Sequence, residues 1–251
     1  MKNRIGYLYV IITCFIWGSV YIASKYALAS IGPLTVLCIR YLVAGACLAV
    51  LLNMRRTRRT VKKGDWKYIW IVGGLGYFVS ITFQLVGTKL LDASLASLIN
   101  GMNPITISLL AAVFLKEKIH KCHIASICIS IAGVYIILGV GGASVNAAGL
   151  GAALIFTVPC AILESVRTPP IFTGSAVLAC IYLGVAGTAV AHTLWNMGLK
   201  LLDASVCSMF YPLQPLTSSI LGVVLLGEVL TWNFVVGGVL ICMGIIVSVM
   251  K

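Results

Sequence analysis

The chain has 251 residues, of which 61% are hydrophobic and only 10% charged, with a mean hydropathy of +1.08 and a net charge of +12. A soluble domain of this size cannot solvate so apolar a surface, so the composition excludes a water-soluble enzyme or binding module and points to an integral membrane protein. The apolar residues come in blocks of roughly 15–23, the length a helix needs to cross a hydrocarbon core of roughly 30 Å, and the ten-residue alternation of an outer-membrane barrel is absent.

In chain order, spans are expected at 6–28, 34–53, 68–88, 94–115, 123–141, 147–163, 174–197, 205–226 and 234–250, an all-α polytopic bundle of nine transmembrane helices. The first span shows no small-residue cleavage site before it continues, so it reads as retained. Between the second and third, Arg55, Arg56, Arg58, Arg59, Lys62, Lys63 and Lys67 crowd one loop. With apolar spans on both sides, this reads as a cytoplasmic loop under the positive-inside rule and not as a nucleic-acid surface. Lys2 and Arg4 place the N-terminus inside, and Lys116, Lys118 and Lys121 do the same for the loop before the fifth span. The turns at 29–33 and 142–146 carry no charge, as expected outside. The nine cysteines sit singly, mostly within spans (Cys14, Cys38, Cys47, Cys128, Cys180, Cys242), and behave as small apolar residues. His120, Cys122 and His123 make only a weak metal-ligand grouping, so no metal and no cofactor is expected.

One segment recurs. Residues 89–117 and 200–228 both open Lys-Leu-Leu-Asp-Ala-Ser. Each places a proline twelve residues after its aspartate (Asp92 and Pro104, Asp203 and Pro215) and ends on a glutamate thirteen residues further on, at Glu117 and Glu228. The offset is 111 residues throughout, and it also aligns Gly73, Gly76, Thr82 and Gly87 with Gly184, Gly187, Thr193 and Gly198. Such duplication in an apolar chain is the mark of repeat-built secondary transporters. The repeat divides the chain into residues 1–141, with five spans, and 142–251, with four. Shifted by the offset, the second span falls on 145–164, and the first span has no counterpart. Copy two therefore lacks one helix. Either its helices thread in the wrong sense, or residues 142–163 are re-entrant or poorly inserted. Lys200 and Lys251 inside with Arg167 outside suit an inverted second copy.

These features resemble the EamA-type transporters of the drug/metabolite transporter superfamily. The matching pieces are Trp17-Gly18-Ser19, Pro33 with Arg40-Tyr41, the two Asp-Ala-Ser…Pro…Glu stretches, and Gly184…Gly187-Thr188…Trp195. The resemblance implies ten helices in two inverted five-helix repeats around a central substrate cavity, with alternating access to small metabolites. This chain departs from that pattern by the first helix of its second repeat.

The residues that could carry chemistry each admit two readings. Arg40 can bind a substrate carboxylate from a wet cavity, or snorkel and pair with carbonyls near the helix end. His192 can couple protons or serve as a hydrogen-bonded interior residue, with Trp195 and Asn196 a turn away. Asn100 and Asn103 align with Tyr211 and Gln214, each pair sharing a helix face, and serve either as cavity lining or as contacts between helices. Pro104 and Pro215, read as helix hinges, are expected to free the carbonyls of Asn100 and Tyr211. Trp17, Ser19 and Tyr21 line the same cavity or pack, and Trp195 is counted with the cavity residues. Asp92 and Asp203 are expected at helix N-caps, and Glu117 and Glu228 to cap the following helix or pair with lysines.

Neither a GxxxxGK[ST] motif nor HExxH, paired intramembrane aspartates or a serine–histidine couple occurs, so no ATP site and no enzyme is expected. The expected function is a secondary transporter, as exporter, of small metabolites or amino-acid-like solutes in the bacterial cytoplasmic membrane. The alternative is a transport-incompetent truncated paralogue or an embedded interaction protein. Expected partners are the lipid bilayer and a small-molecule substrate, with no nucleic acid; a second copy of the chain is left open as a partner.

Overall fold

The computed structural model describes residues 2–54, 63–100, 148–202, 207 and 210–249. Every element among them is helical: α1 (Lys2–Leu28), α2 (Pro33–Met54), α3 (Trp66–Leu90), α4 (Ala93–Asn100), α5 (Ala148–Arg167), α6 (Gly174–Leu199), α7 (Leu213–Leu226) and α8 (Trp232–Val249). The stretches Arg4–Leu28, Pro33–Leu51, Trp66–Leu90 and Gly174–Leu199 are long enough to cross a membrane, with mean hydropathies of 1.8, 2.2, 1.7 and 1.8. The protein is an all-α polytopic membrane protein. The expected spans from 101 to 141, with Asn103, Pro104, Glu117 and the His120/Cys122/His123 group, lie outside the described residues, as does Asp203.

Local chemistry accounts for the helix ends. Pro33 opens α2 at the position where a missing N–H costs nothing. The Thr173 hydroxyl caps α6 by accepting from the Ala176 amide at 3.3 Å, and Thr231 does the same for the Phe234 amide at 3.2 Å as α8 begins. The expected span 205–226 differs from the structure. Phe210, Tyr211 and Pro212 form tight turns, and α7 starts only at Leu213. Pro215 consequently sits in a first helical turn, where its lack of an N–H breaks no bond. The Tyr211 carbonyl is not freed as expected: it accepts from the Gln214 amide at 3.0 Å.

The described chain forms two compact units, one of residues 1–22, 91–142 and 194–251, the other of 23–90 and 143–193. In the second unit, α2 packs along α5 and α6. Gly184 on α6 allows close approach, since a Cβ there would lie 2.6 Å from the Val43 Cβ and 2.9 Å from the Arg40 carbonyl oxygen. The Glu164 carboxylate, near the C-terminal end of α5, accepts from the Leu34 amide at 3.2 Å, the Thr35 amide at 2.8 Å and the Thr35 hydroxyl at 2.8 Å. The end of α5 thus lies at the start of α2, and the two helices run antiparallel. A carboxylate there satisfies orphan amides and meets the positive end of the helix dipole.

The second unit also holds two π-helical stretches, Val72–Val79 in α3 and Val185–Val190 in α6. They fall at equivalent positions of the 111-residue repeat, which pairs Tyr77 with Thr188. A π turn widens the helix and leaves backbone and side-chain groups open to new partners. Adjacent residues of α2 take both positions. Arg40 donates from Nε to the Thr188 hydroxyl at 2.7 Å, and the Tyr41 hydroxyl donates to the Tyr77 carbonyl at 2.7 Å.

In the first unit, α1 presents Tyr7, Val10, Cys14, Trp17 and Tyr21 at alternating spacings of three and four, one continuous helix face. Val10 and Cys14 pack with Cys207, Trp195, Leu202, Phe210 and Leu213, and Tyr21 with Ile22, Ala93, Ala96, Leu221 and Leu226. The α4 start is held by the end of α7. Gly227, at φ 68°, turns the chain left-handed so that the Glu228 amide donates to the Gly222 carbonyl at 3.1 Å. The Glu228 carboxylate then accepts from the Ala93 amide, the Ser94 amide at 3.1 Å and the Ser94 hydroxyl.

Removing a carboxylate cap is expected to cost about 1–2 kcal/mol of stability. Glu164→Ala should therefore lower the melting temperature of the detergent-solubilised protein, with Glu164→Gln intermediate. An unchanged melt for Glu164→Ala would show that the cap contributes nothing.

Candidate functional site

Three of the expected cavity residues meet in the first unit. Trp17 on α1, Trp195 near the end of α6 and Tyr211 before α7 form one aromatic cluster, with centroid distances of 5.2 Å (Trp17–Trp195), 5.3 Å (Trp195–Tyr211) and 6.3 Å (Trp17–Tyr211). The Trp195–Tyr211 pair meets edge to face, the arrangement that ring quadrupoles favour. Gly18 makes this possible. A Cβ there would lie 2.6 Å from the Thr217 Cβ and 2.7 Å from the Gln214 carbonyl oxygen, so only glycine lets α1 approach the first turn of α7. Ser19 returns its hydroxyl to the Ile16 carbonyl of its own helix at 2.7 Å.

Gln214 follows Tyr211 by one turn and is 1% exposed. Tyr21 lies one turn beyond Trp17, buried in the cluster with Ala93 and Ala96. Asn100 is the last residue of α4 and half-buried. The first unit thus joins an aromatic cluster to a buried amide.

Arg40 and His192 belong to the second unit, where Thr188 links them. Arg40 is 4% exposed and donates to the Thr188 hydroxyl, which itself donates to the Leu183 carbonyl at 2.9 Å. His192 Nδ1 donates to the Thr188 carbonyl at 2.8 Å. Arg40 is therefore engaged inside the helical unit and does not extend from a helix end toward solvent. Neither Arg40 nor His192 signals Thr188 by itself; the repeat-aligned π turn is what brings Thr188 into line.

The acids differ from expectation in their partners. Asp92 marks the start of α4, its carbonyl accepting from the Ala96 amide at 2.9 Å, but its side chain is exposed and the cap is supplied by Glu228. Glu228 does not cap the helix that follows it; Thr231 does. A glutamate beside a helix C-terminus is unfavourable unless another helix start lies near, and that mismatch is the sequence signal for the long-range cap. Glu164, an acid inside an apolar block, carries the same signal.

The sequence model of the EamA-like transporter family matches residues 4–139 and again residues 140–250. An uncharacterized transporter of Archaeoglobus fulgidus is 25% identical over 272 aligned residues, covering 96% of this chain and 97% of that one. One from Clostridium kluyveri is 26% identical over 292 residues, covering 97% and 92%. The putative permease-like protein YdzE of Bacillus subtilis is 44% identical over 69 residues, 28% of this chain and 88% of that one. A crystal structure superposes with a TM-score of 0.63 at 20% identity, covering 98% of this chain and 95% of that one. The two long alignments exceed the 251 residues of this chain, so these relatives carry residues that this chain lacks.

The glycine contacts yield a paired outcome. Gly18→Ala is expected to destabilise by about 1–3 kcal/mol, because the added methyl overlaps Thr217 and the Gln214 carbonyl. Gly87→Ala, with nothing within 4 Å of its Cβ, is expected to be neutral or to stabilise by about 0.5–1 kcal/mol. Thermal melts of the two variants side by side check this; equal losses would refute the close approach at Gly18.

Proposed function

Because the chain belongs to the EamA-like transporter family, and is a multi-pass membrane transporter, we propose that it is a secondary transporter that exports small metabolites or amino-acid-like solutes by alternating access. One observation carries this reading. Twice, a carboxylate from residues 142–251 caps a helix of residues 1–141, Glu164 on α2 and Glu228 on α4. In both cases the capped helix is the repeat counterpart of the segment that supplies the acid, end set against start. Antiparallel counterparts of this kind are what two inverted repeats present to each other, and rocking of such repeats gives alternating access. The two repeats are 1–141 and 142–251. Energy comes from a solute or ion gradient, since the sequence holds no nucleotide-binding loop. Catalysis plays no part in this reading.

The membrane is the bacterial cytoplasmic membrane, with the 54–67 loop on the cytoplasmic side. Since the turn at 29–33 is outside, the antiparallel α2 and α5 put Arg167 outside as well. α6 then returns to the cytoplasm and α8 ends there.

A second reading, a transport-incompetent paralogue, is favoured by the residues that the relatives have and this chain lacks. Counterflow of labelled amino acids and related metabolites into proteoliposomes, without ATP, separates the two. Saturable flux for at least one solute is expected, and no flux across a broad panel would favour the second reading. A Lys251→Cys variant is expected to react with impermeant maleimide only from the cytoplasmic side; labelling from outside would break the inverted arrangement.

A further inference from the structure

Two buried polar side chains of the first unit take no part in the caps. Gln214 Nε2 makes no hydrogen bond among the described residues, and neither does the hydroxyl of fully buried Ser97. Groups shut away from water without partners are costly, and apolar residues of similar size would pack an interface without that cost. Register brings the two together. The Ser218 hydroxyl donates to the Ala93 carbonyl at 3.0 Å. Gln214 lies one turn before Ser218, and Ser97 one turn after Ala93. Because the end of α7 meets the start of α4, both steps lead the same way along the interface. Gln214 is also one turn from Tyr211, and its carbonyl packs on Gly18 beside Trp17.

We propose that Gln214 and Ser97 are the hydrogen-bonding pair of a substrate site whose wall is the Trp17, Trp195 and Tyr211 cluster, and that the site takes a small solute joining a flat ring to a carboxylate or carbonyl oxygen. This rests on the transporter reading above and names the substrate class for it. The amide Nε2 can only donate, so its complement is an acceptor oxygen, and the serine hydroxyl can serve that oxygen or its neighbour. Three aromatic rings offer faces and edges suited to a planar apolar body. None of the five side chains is formally charged, which disfavours solutes carrying several phosphates. The groups are closed off in this conformation, so the solute reaches them when α4 and α7 part.

The test uses the full purified chain with benzoate, nicotinate and L-phenylalanine as probes, benzylamine as the ring without an acceptor oxygen and acetate as the oxygen without a ring. At least one ring carboxylate is expected to raise the melting temperature and to be carried in proteoliposomes, and the two controls to do neither. Gln214→Leu should keep or raise the unliganded melting temperature while weakening the apparent affinity for that probe by about tenfold or more, and Ser97→Ala should weaken it by about threefold. Gln214→Met, nearer in shape, stands in if the leucine variant does not fold. A lower unliganded melt with an unchanged KM would make Gln214 a packing residue and overturn the proposal, while flux in the same assay would leave the transporter reading intact. Flux confined to benzylamine, acetate or unrelated metabolites would overturn the ring-carboxylate class alone. Failure of both Gln214 variants and Ser97→Ala to fold would overturn the proposal too, because it assigns those polar groups no part in packing.

Discussion

A backbone amide or carbonyl left without a partner in an apolar medium costs several times what it costs in water, and this constraint organises the described structure. Ordinary helix interiors satisfy themselves. Trouble arises at helix ends and at wide turns, and long-range hydrogen bonds are found at those places. Glu164 and Glu228 serve the first amides of α2 and α4, and Arg40 and Tyr41 reach the π-helical stretches of α6 and α3. Even the hydroxyls of Thr35 and Ser94 join the same carboxylates as their own amides.

These bonds also tie the two sequence copies together. Within the second unit, Glu164 links α5 to α2 and Arg40 links α2 to α6; within the first, Glu228 links the end of α7 to α4. A π-helical stretch interrupts each of α3, α6 and α7. The glycines divide into two kinds. Gly18, Gly184 and Gly198 sit where another residue lies within 3 Å of a would-be Cβ, whereas at Gly76 a Cβ would meet only Val72 at 3.8 Å and at Gly87 nothing within 4 Å. Repeat alignment alone treats Gly87 and Gly198 as equivalent; packing does not. Of these two, only Gly198 has a close neighbour, Val10.

Much of the architecture was legible in the residues. Span lengths follow from runs of apolar side chains, and the predicted ranges 6–28, 34–53, 68–88, 147–163, 174–197 and 234–250 each lie within a few residues of a described helix. The 205–226 span was misjudged because apolar composition continues across Phe210–Pro212 while the backbone turns there. Tyr211 was recognisable as a candidate from its repeat alignment with Asn100, and Trp17 and Trp195 from the stretches that carry the family resemblance. Their meeting was not, since it depends on the close approach that Gly18 permits.

Sequence by itself determined the membrane class, the helical spans, the internal repeat and the family, because hydropathy and periodicity are local and additive along the chain. Tertiary structure alone decided which helix start each acid serves, that Thr188 joins Arg40 to His192, and that Gln214 and Ser97 lie along one interface. Those are relations between residues more than a hundred positions apart in the chain, set by where helices cross, and no local preference encodes a crossing point.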